Sequence, residues 1–182
     1  MKIGVPKEIK NHEYRVGLTP ESVAEISKNN HEVFIQKDAG LGIGFSNEAY
    51  QKAGATILNT QQELYDISEL IVKVKEPVPE EFQYLSNKNT VFAYLHLAGD
   101  PKTGLELAAT GVTGIALETV TADDGSMPLL SPMSAIAGQL SIVVGSYHLL
   151  KPNKGMGTLI GAFHDVDPRV VTVIGAGVAG TE

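Results

Sequence analysis

Arg15, Lys75 and His96 are the side chains of this sequence best suited to handling a small anionic molecule. A guanidinium grips a carboxylate bidentately, an ammonium polarises a carbonyl oxygen, and an imidazole titrating near neutrality moves a proton. Each falls where a strand pattern gives way to a polar segment. Arg15 lies in Lys10-Asn11-His12-Glu13-Tyr14-Arg15, Lys75 closes Ile71-Val72-Lys73-Val74-Lys75, and His96 closes Val91-Phe92-Ala93-Tyr94-Leu95-His96. Ligands of open parallel sheets bind outside the carboxyl ends of the strands, so all three could meet one ligand. Singly, each has a plainer account: Arg15 as a solvated surface charge, His96 as a hydrogen-bonded structural residue, and Lys73 and Lys75, on one face by period-two alternation, as lysines reaching solvent from an edge strand. For Lys73 that edge-strand account is the expectation. Lys75, at the strand terminus, is better placed to meet a ligand.

A second constellation is Gly175-Ala176-Gly177-Val178-Ala179-Gly180, directly after the apolar run Val170-Val171-Thr172-Val173-Ile174. The pattern reads as a buried parallel strand, a glycine turn and a helix whose amide N–H groups face a dinucleotide pyrophosphate. The alternative is a tight strand-to-helix turn that binds nothing. The acidic residue expected about 20 residues further on, for ribose hydroxyls, would lie beyond Glu182. The sequence therefore reads as half of an enzyme.

These residues need a scaffold, and the pattern supplies one. Short apolar runs alternate with capped helical patterns, the signature of βαβ units and an α/β fold with a mostly parallel sheet flanked by helices. Thr19 with Pro20 and Glu21 starts the first helix, Ser46 caps a second, Thr60 and Glu63 have capping-box spacing, and Asp100-Pro101 opens another. Strands are expected at Val33–Ile35, Leu70–Lys75, Val91–Leu97 and Val112–Leu117. Asp123-Asp124-Gly125-Ser126 is a turn, and Ser131-Pro132 leads into the longest helical pattern, Met133 to about Leu150. Thr158–Ile160 and Val170–Ile174 are expected to begin a second sheet. The division expected is a Rossmann/flavodoxin-like substrate domain over 1–130, an interdomain or oligomerisation helix over 131–150, and the truncated start of a Rossmann dinucleotide-binding domain over 151–182.

The bulk properties narrow the partners. A net charge of -7 over 182 residues argues against nucleic acid or an anionic membrane, both of which need a concentrated basic surface. Without cysteine there is neither a disulfide framework nor a thiol nucleophile. No metal site is expected, since His12, His31, His148 and His164 lack the spacing to one another or to carboxylates. With no signal-type segment at Met1–Pro6 and no run of 18 apolar residues, a cytoplasmic location is expected.

The opening Met1–Asn11 with Arg15-Val16, then Val72-Lys73-Val74-Lys75-Glu76-Pro77, Tyr94-Leu95-His96-Leu97-Ala98, Glu118-Thr119-Val120, Pro128–Ser134 and Gly175–Gly180 together resemble bacterial L-alanine dehydrogenase. The resemblance spans essentially the whole chain and corresponds to the N-terminal half of that enzyme. It implies reversible oxidative deamination of L-alanine to pyruvate and ammonia with NAD. It also implies a small-molecule substrate and a homo-oligomer, commonly a hexamer, at full length. By the same resemblance Arg15, Lys75 and Tyr94 would hold the substrate, with Lys75 and His96 catalytic. Met133 and Ser134 would face the nicotinamide side, and Gly175, Gly177, Val178, Ala179 and Gly180 the pyrophosphate. The family usually continues after Met133-Ser134 with glutamate and later arginine, where this chain has Ala135 and Gln139, and Gly161–Asp165 replaces a glycine-rich stretch.

Two rival readings remain. The NAD-binding subunit of proton-translocating transhydrogenase is similar in fold and opening residues, but in that group, as the resemblance is drawn, lysine and histidine do not fill the positions of Lys75 and His96. The other is a non-catalytic remnant domain. The isolated chain is expected to show negligible turnover.

Overall fold

A computed structural model describes residues 1–182, which divide into two compact units, Met1–Glu118 and Thr119–Glu182. The first contains β1 (Lys2–Val5), α1 (Pro20–Lys28), β2 (Glu32–Gln36), α2 (Asn47–Lys52), β3 (Thr56–Leu58) and α3 (Gln61–Ile67). It continues with β4 (Leu70–Lys75), α4 (Pro79–Phe82), β5 (Thr90–Tyr94), α5 (Pro101–Ala109) and β6 (Thr113–Ala116). All six strands join one parallel sheet in the order β3-β2-β1-β4-β5-β6. This is the doubly wound order in which the winding reverses between β1 and β4. Two apolar clusters hold the sheet to its helices. One is built on Val5, Val23, Val33, Ile35 and Tyr50, the other on Leu64, Tyr65, Ile71, Val91 and Ala93.

Local capping agrees with the sequence. The Thr19 hydroxyl accepts the Ser22 N–H at 3.2 Å, that of Ser46 accepts Ala49 N–H at 3.3 Å, and Asp100 accepts Thr103 N–H at 3.1 Å. Thr60 and Glu63 form the reciprocal box at 3.2 and 3.0 Å. Each satisfies helix-terminal N–H groups that would otherwise lack partners. β3 and α4 were not anticipated. β3 is three residues long, and α4 is a single turn after Pro79, both too short for a periodic signal.

β4 requires a correction. Far from lying at an edge, it sits between β1 and β5, and Lys73 is 2% exposed. An extra residue in β4 between Val72, which pairs with Phe92, and Lys75, which pairs with Tyr94, breaks the expected alternation. Such bulges turn side chains out of the regular period. Lys73 points into the interior, while Lys75 is half-buried at the strand end.

In the second unit the long helix, α6 (Ser131–Leu149), is close to its expected bounds, and the turn expected at 123–126 closes with Ala122 N–H donating to Ser126 O at 2.9 Å. The second sheet does not form. Neither 158–160 nor 170–174 is a strand, Val170 and Ile174 are 93% and 98% exposed, and the main-chain bond nearest to joining the two stretches, Arg169 N–H to Ile160 O, starts just outside the second. A parallel strand is defined by its ladder, and apolar β-branched residues without a partner strand do not make one. A short final helix, α7 (Val178–Thr181), follows Gly177. No helix is long and apolar enough to cross a membrane.

Candidate functional site

Arg15 follows β1 and Lys75 ends β4, so they sit at the carboxyl ends of the two strands between which the sheet reverses direction. The segment bearing Arg15 is drawn against β4 at Gly17, where a Cβ would lie 2.5 Å from the Val72 carbonyl oxygen. Only glycine permits that approach. Tyr94 is the ladder partner of Lys75. Arg15 lies within electrostatic reach of Tyr94 and of the Glu8 carboxylate, and Glu13 of both Arg15 and Lys75. Three of the residues singled out from sequence, Arg15, Lys75 and Tyr94, are thus gathered at one end of the sheet.

Glu13 is the carboxylate at the centre of that group. It accepts Arg15 Nε at 2.8 Å, Nη2 at 2.6 Å and the Arg15 main-chain N–H at 3.0 Å. These hydrogen bonds, more than any other influence, hold its carboxyl below the usual glutamate range, and in turn raise Arg15. A cavity of about 430 Å³ adjoins the group, lined by the β1–α1 segment, including Lys10, His12 and Arg15, with Asp38 and Leu41. Lys75, Tyr94 and His96 are not among its walls.

Beneath Lys75 lies a buried ionic network. Lys73 Nζ is 2.9 Å from Glu81 Oε1 and 3.3 Å from Glu8 Oε2. Glu81 also accepts the Tyr65 hydroxyl at 2.8 Å, Gln61 Nε2 at 2.9 Å and the Val78 N–H at 2.9 Å. Burial pushes the Tyr65 hydroxyl well above its ordinary range, with the Glu81 charge adding to it. Glu8 takes the Val74 N–H at 2.6 Å, holding the irregular end of β4 to the segment after β1. Burial raises the Glu8 carboxyl above its ordinary value, opposed by the Lys73 charge and the N–H groups it accepts. Lys10 pairs with Glu76 on the exposed rim.

His96 lies two residues beyond Tyr94 with an exposed side chain and a left-handed backbone, φ 49°. A non-glycine residue there carries roughly 1–3 kcal/mol of strain and persists when its surroundings hold it. The Glu118 carboxylate does so, accepting the N–H groups of His96 at 2.7 Å and Leu95 at 3.2 Å, and the chain turns back through a Gly99 N–H to His96 O bond of 2.9 Å. The imidazole lies over Gly99, in space a Cβ there would occupy.

Met133 and Ser134 fall in the first turn of α6, in the second unit. Also in that unit, Gly175 has φ 110°, and a Cβ on Gly180 would run into the Gly175 carbonyl. Two of the three motif glycines are therefore demanded by the tight turn itself.

Residues 4–137 match the family described as alanine dehydrogenase/PNT, N-terminal domain, and 141–182 match its C-terminal domain. The chain belongs to the alanine dehydrogenase/PNT family. It is 47% identical over 180 residues to alanine dehydrogenase of Mycolicibacterium smegmatis, covering 99% of this chain and 48% of the relative. To alanine dehydrogenase of Bacillus subtilis it is 47% identical over 181 residues, covering 100% of this chain and 47% of the relative. A solved L-alanine dehydrogenase superposes with a TM-score of 0.88 at 44% identity over all of this chain and half of that one. The transhydrogenase from Sinorhizobium meliloti matches more distantly, with a TM-score of 0.71 at 26% identity over 81% of this chain and 45% of that one. The chain spans about half the length of the curated relatives it matches.

Sequence reasoning assigns no role to Glu8, Glu13, Glu81 or Glu118, and sends Lys73 to solvent. Each acts through a partner that only the folded sheet brings close, apart from Glu13, whose two-residue spacing from Arg15 is a readable signal once the segment is known to be buried.

Proposed function

We propose that this chain provides the substrate-binding half of an NAD-dependent alanine dehydrogenase, which interconverts L-alanine with pyruvate and ammonia. The observation that carries the reading is the gathering of Arg15, Lys75 and Tyr94 at the β1–β4 reversal of a sheet belonging to this family. In this reading the Arg15 guanidinium takes the substrate carboxylate, and the Lys75 ammonium donates to the pyruvate carbonyl oxygen, activating its carbon for addition of ammonia; that oxygen then leaves as water, and the resulting iminium carbon is the one that exchanges hydride. Tyr94, the ladder partner of Lys75, lines the cleft beside the substrate. His96 gives or takes the proton at the substrate oxygen as the carbonyl forms or is consumed, from a backbone fixed by Glu118.

NAD fits the same reading. When bound, nicotinamide exchanges hydride with the substrate α-carbon. Gly175, Gly177, Val178, Ala179 and Gly180 would hold its pyrophosphate by main-chain N–H groups, and Met133 and Ser134 would face the nicotinamide side. A cytoplasmic homo-oligomer belongs to the same proposal.

Saturation-transfer NMR on the 182-residue chain with pyruvate tests the substrate half directly. Saturable binding that is lost in Arg15→Ala and weakened in Lys75→Ala is expected. Equal binding to the wild type and to both variants would sink the assignment.

A further inference from the structure

Lys75 plays its part in the proposed function, on which this inference rests, only if its ammonium reaches the carbonyl oxygen of a substrate whose carboxylate Arg15 holds. In a 2-oxo acid those two groups sit on adjacent carbons, so the two cations must stand at one separation. A lysine ammonium rides on a flexible four-carbon stem, and the main chain it springs from has to be fixed. That main chain is where β4 has least support from its neighbours. β1 runs beside β4 only as far as the Gly4–Ile71 pair, and on the other side the ladder to β5 is interrupted between Val72 and Lys75.

Glu8 supplies an acceptor there. Its Oε1 takes the N–H of Val74 at 2.6 Å and that of Lys75 at 3.4 Å, while Oε2 meets Lys73 Nζ at 3.3 Å. The side chain is 2% exposed, so the bonds form away from water, where they are electrostatically stronger. Glu8 belongs to the same β1–α1 segment as Arg15 and lines the same cavity. One residue therefore fastens the main chain of Lys75 to the stretch of chain that bears Arg15. Glutamine would not serve as well, because it has one acceptor oxygen and would turn its NH2 group toward either the Val74 N–H or the Lys73 ammonium. We propose that Glu8 is a positioning residue for the substrate: by holding the bulged end of β4 to the Arg15 segment, it sets the separation of the Lys75 ammonium from the Arg15 guanidinium. Glu8 acts on the ligand through Lys75 and does not touch it.

A double-mutant cycle on the full 182-residue chain tests this, with pyruvate affinity read by NMR titration and amide exchange followed in the same samples. In the wild type the Val74 amide should exchange slowly. In Glu8→Ala it should lose that protection while the Ile71 amide keeps its own, and pyruvate should bind more weakly on the order of tenfold. Added to Lys75→Ala, the same substitution should change pyruvate affinity less than about twofold, because the group it positions is gone. An unchanged affinity in the folded Glu8→Ala chain overturns the proposal. So does an equal loss in both backgrounds, which would mean that the substitution loosens the site as a whole. If circular dichroism shows that Glu8→Ala does not fold, the wild-type amide decides: slow exchange at Val74 supports the anchor, and exchange at the rate of an unbonded amide refutes it. Failure of the wild type to bind pyruvate at all removes the functional reading and this inference with it. Pyruvate binding without coupling between Glu8 and Lys75 removes only the inference.

Discussion

Glu8, on the segment after β1, accepts the main-chain N–H of Val74 in β4 at 2.6 Å while its other oxygen meets Lys73 Nζ at 3.3 Å. One buried carboxylate thus ties the two strands at the sheet's reversal point to each other and to the cation beneath Lys75. The arrangement makes Lys73 the central charge of a network with two carboxylates, Glu8 and Glu81, both buried. Replacing Lys73 by Met would strand both. Loss of one partner of a buried ion pair typically costs about 3–5 kcal/mol, and for a chain of this size each kcal/mol lowers Tm by roughly 2–4 °C. A fall in Tm of about 10 °C, measured by calorimetry, is expected. A change within 2 °C, in the range of an ordinary surface substitution at about 0.5 kcal/mol, would show that the network contributes little.

The two glutamates of the β1–α1 segment should respond to pH in opposite senses. Glu8 is raised in the folded chain by burial, so the folded state binds its proton first as pH falls toward the ordinary glutamate value. Its contribution to stability is fully present below the unfolded pKa and is lost as pH rises through the folded one. Glu13 is lowered by its hydrogen bonds to Arg15, so its contribution is present above the unfolded pKa and is lost as pH falls through the folded one. Denaturant melts of Glu8→Gln and Glu13→Gln, followed downward from pH 7, should show the wild type gaining on the first variant and later losing its lead over the second. Parallel curves would contradict both assignments.

Lys73 also marks the limit of what could be read from the sequence. Its strand, its alternation and the adjacent Lys75 are all local signals, and they place β4 correctly. Whether β4 is an edge or a centre depends on which strands flank it, a long-range fact that its own residues do not encode, and the bulge after Val72 depends on pairing with β5. The caps at Thr19, Ser46, Thr60 and Asp100 were legible because an N-cap and the N–H it accepts lie three residues apart. Glu118 was not, because the N–H groups it holds lie 22 and 23 residues away. The Val170–Ile174 run shows the converse, a local strand pattern without the neighbours a ladder requires.

His96 carries the proton-transfer role in the proposed reaction. In a polypeptide of the relatives' length bearing this sequence, His96→Ala should lower NADH oxidation with pyruvate and ammonium by about a hundredfold or more, the usual effect of losing a general acid or base. The loss should fall on kcat, with pyruvate binding to the 182-residue chain unchanged, since Arg15 and Lys75 hold the carboxylate and carbonyl. Near-normal turnover would remove His96 from the mechanism.

Gly99 offers a subtler test of the same residue. Its backbone is not in the left-handed region, so alanine adds no conformational strain, and the atoms nearest to a Cβ there are those of the His96 imidazole lying across it. The end of a side chain can swing aside at little cost, and Gly99→Ala should change stability by about 0.5 kcal/mol or less. The ring, however, must move, and displacing a reacting group by about 1 Å can cost on the order of a hundredfold in rate. The expected signature is an unchanged Tm, shifted His96 imidazole resonances, and a drop in kcat with KM preserved, measured in the polypeptide of the relatives' length. If the resonances shift while kcat does not, the observed ring position has no bearing on catalysis.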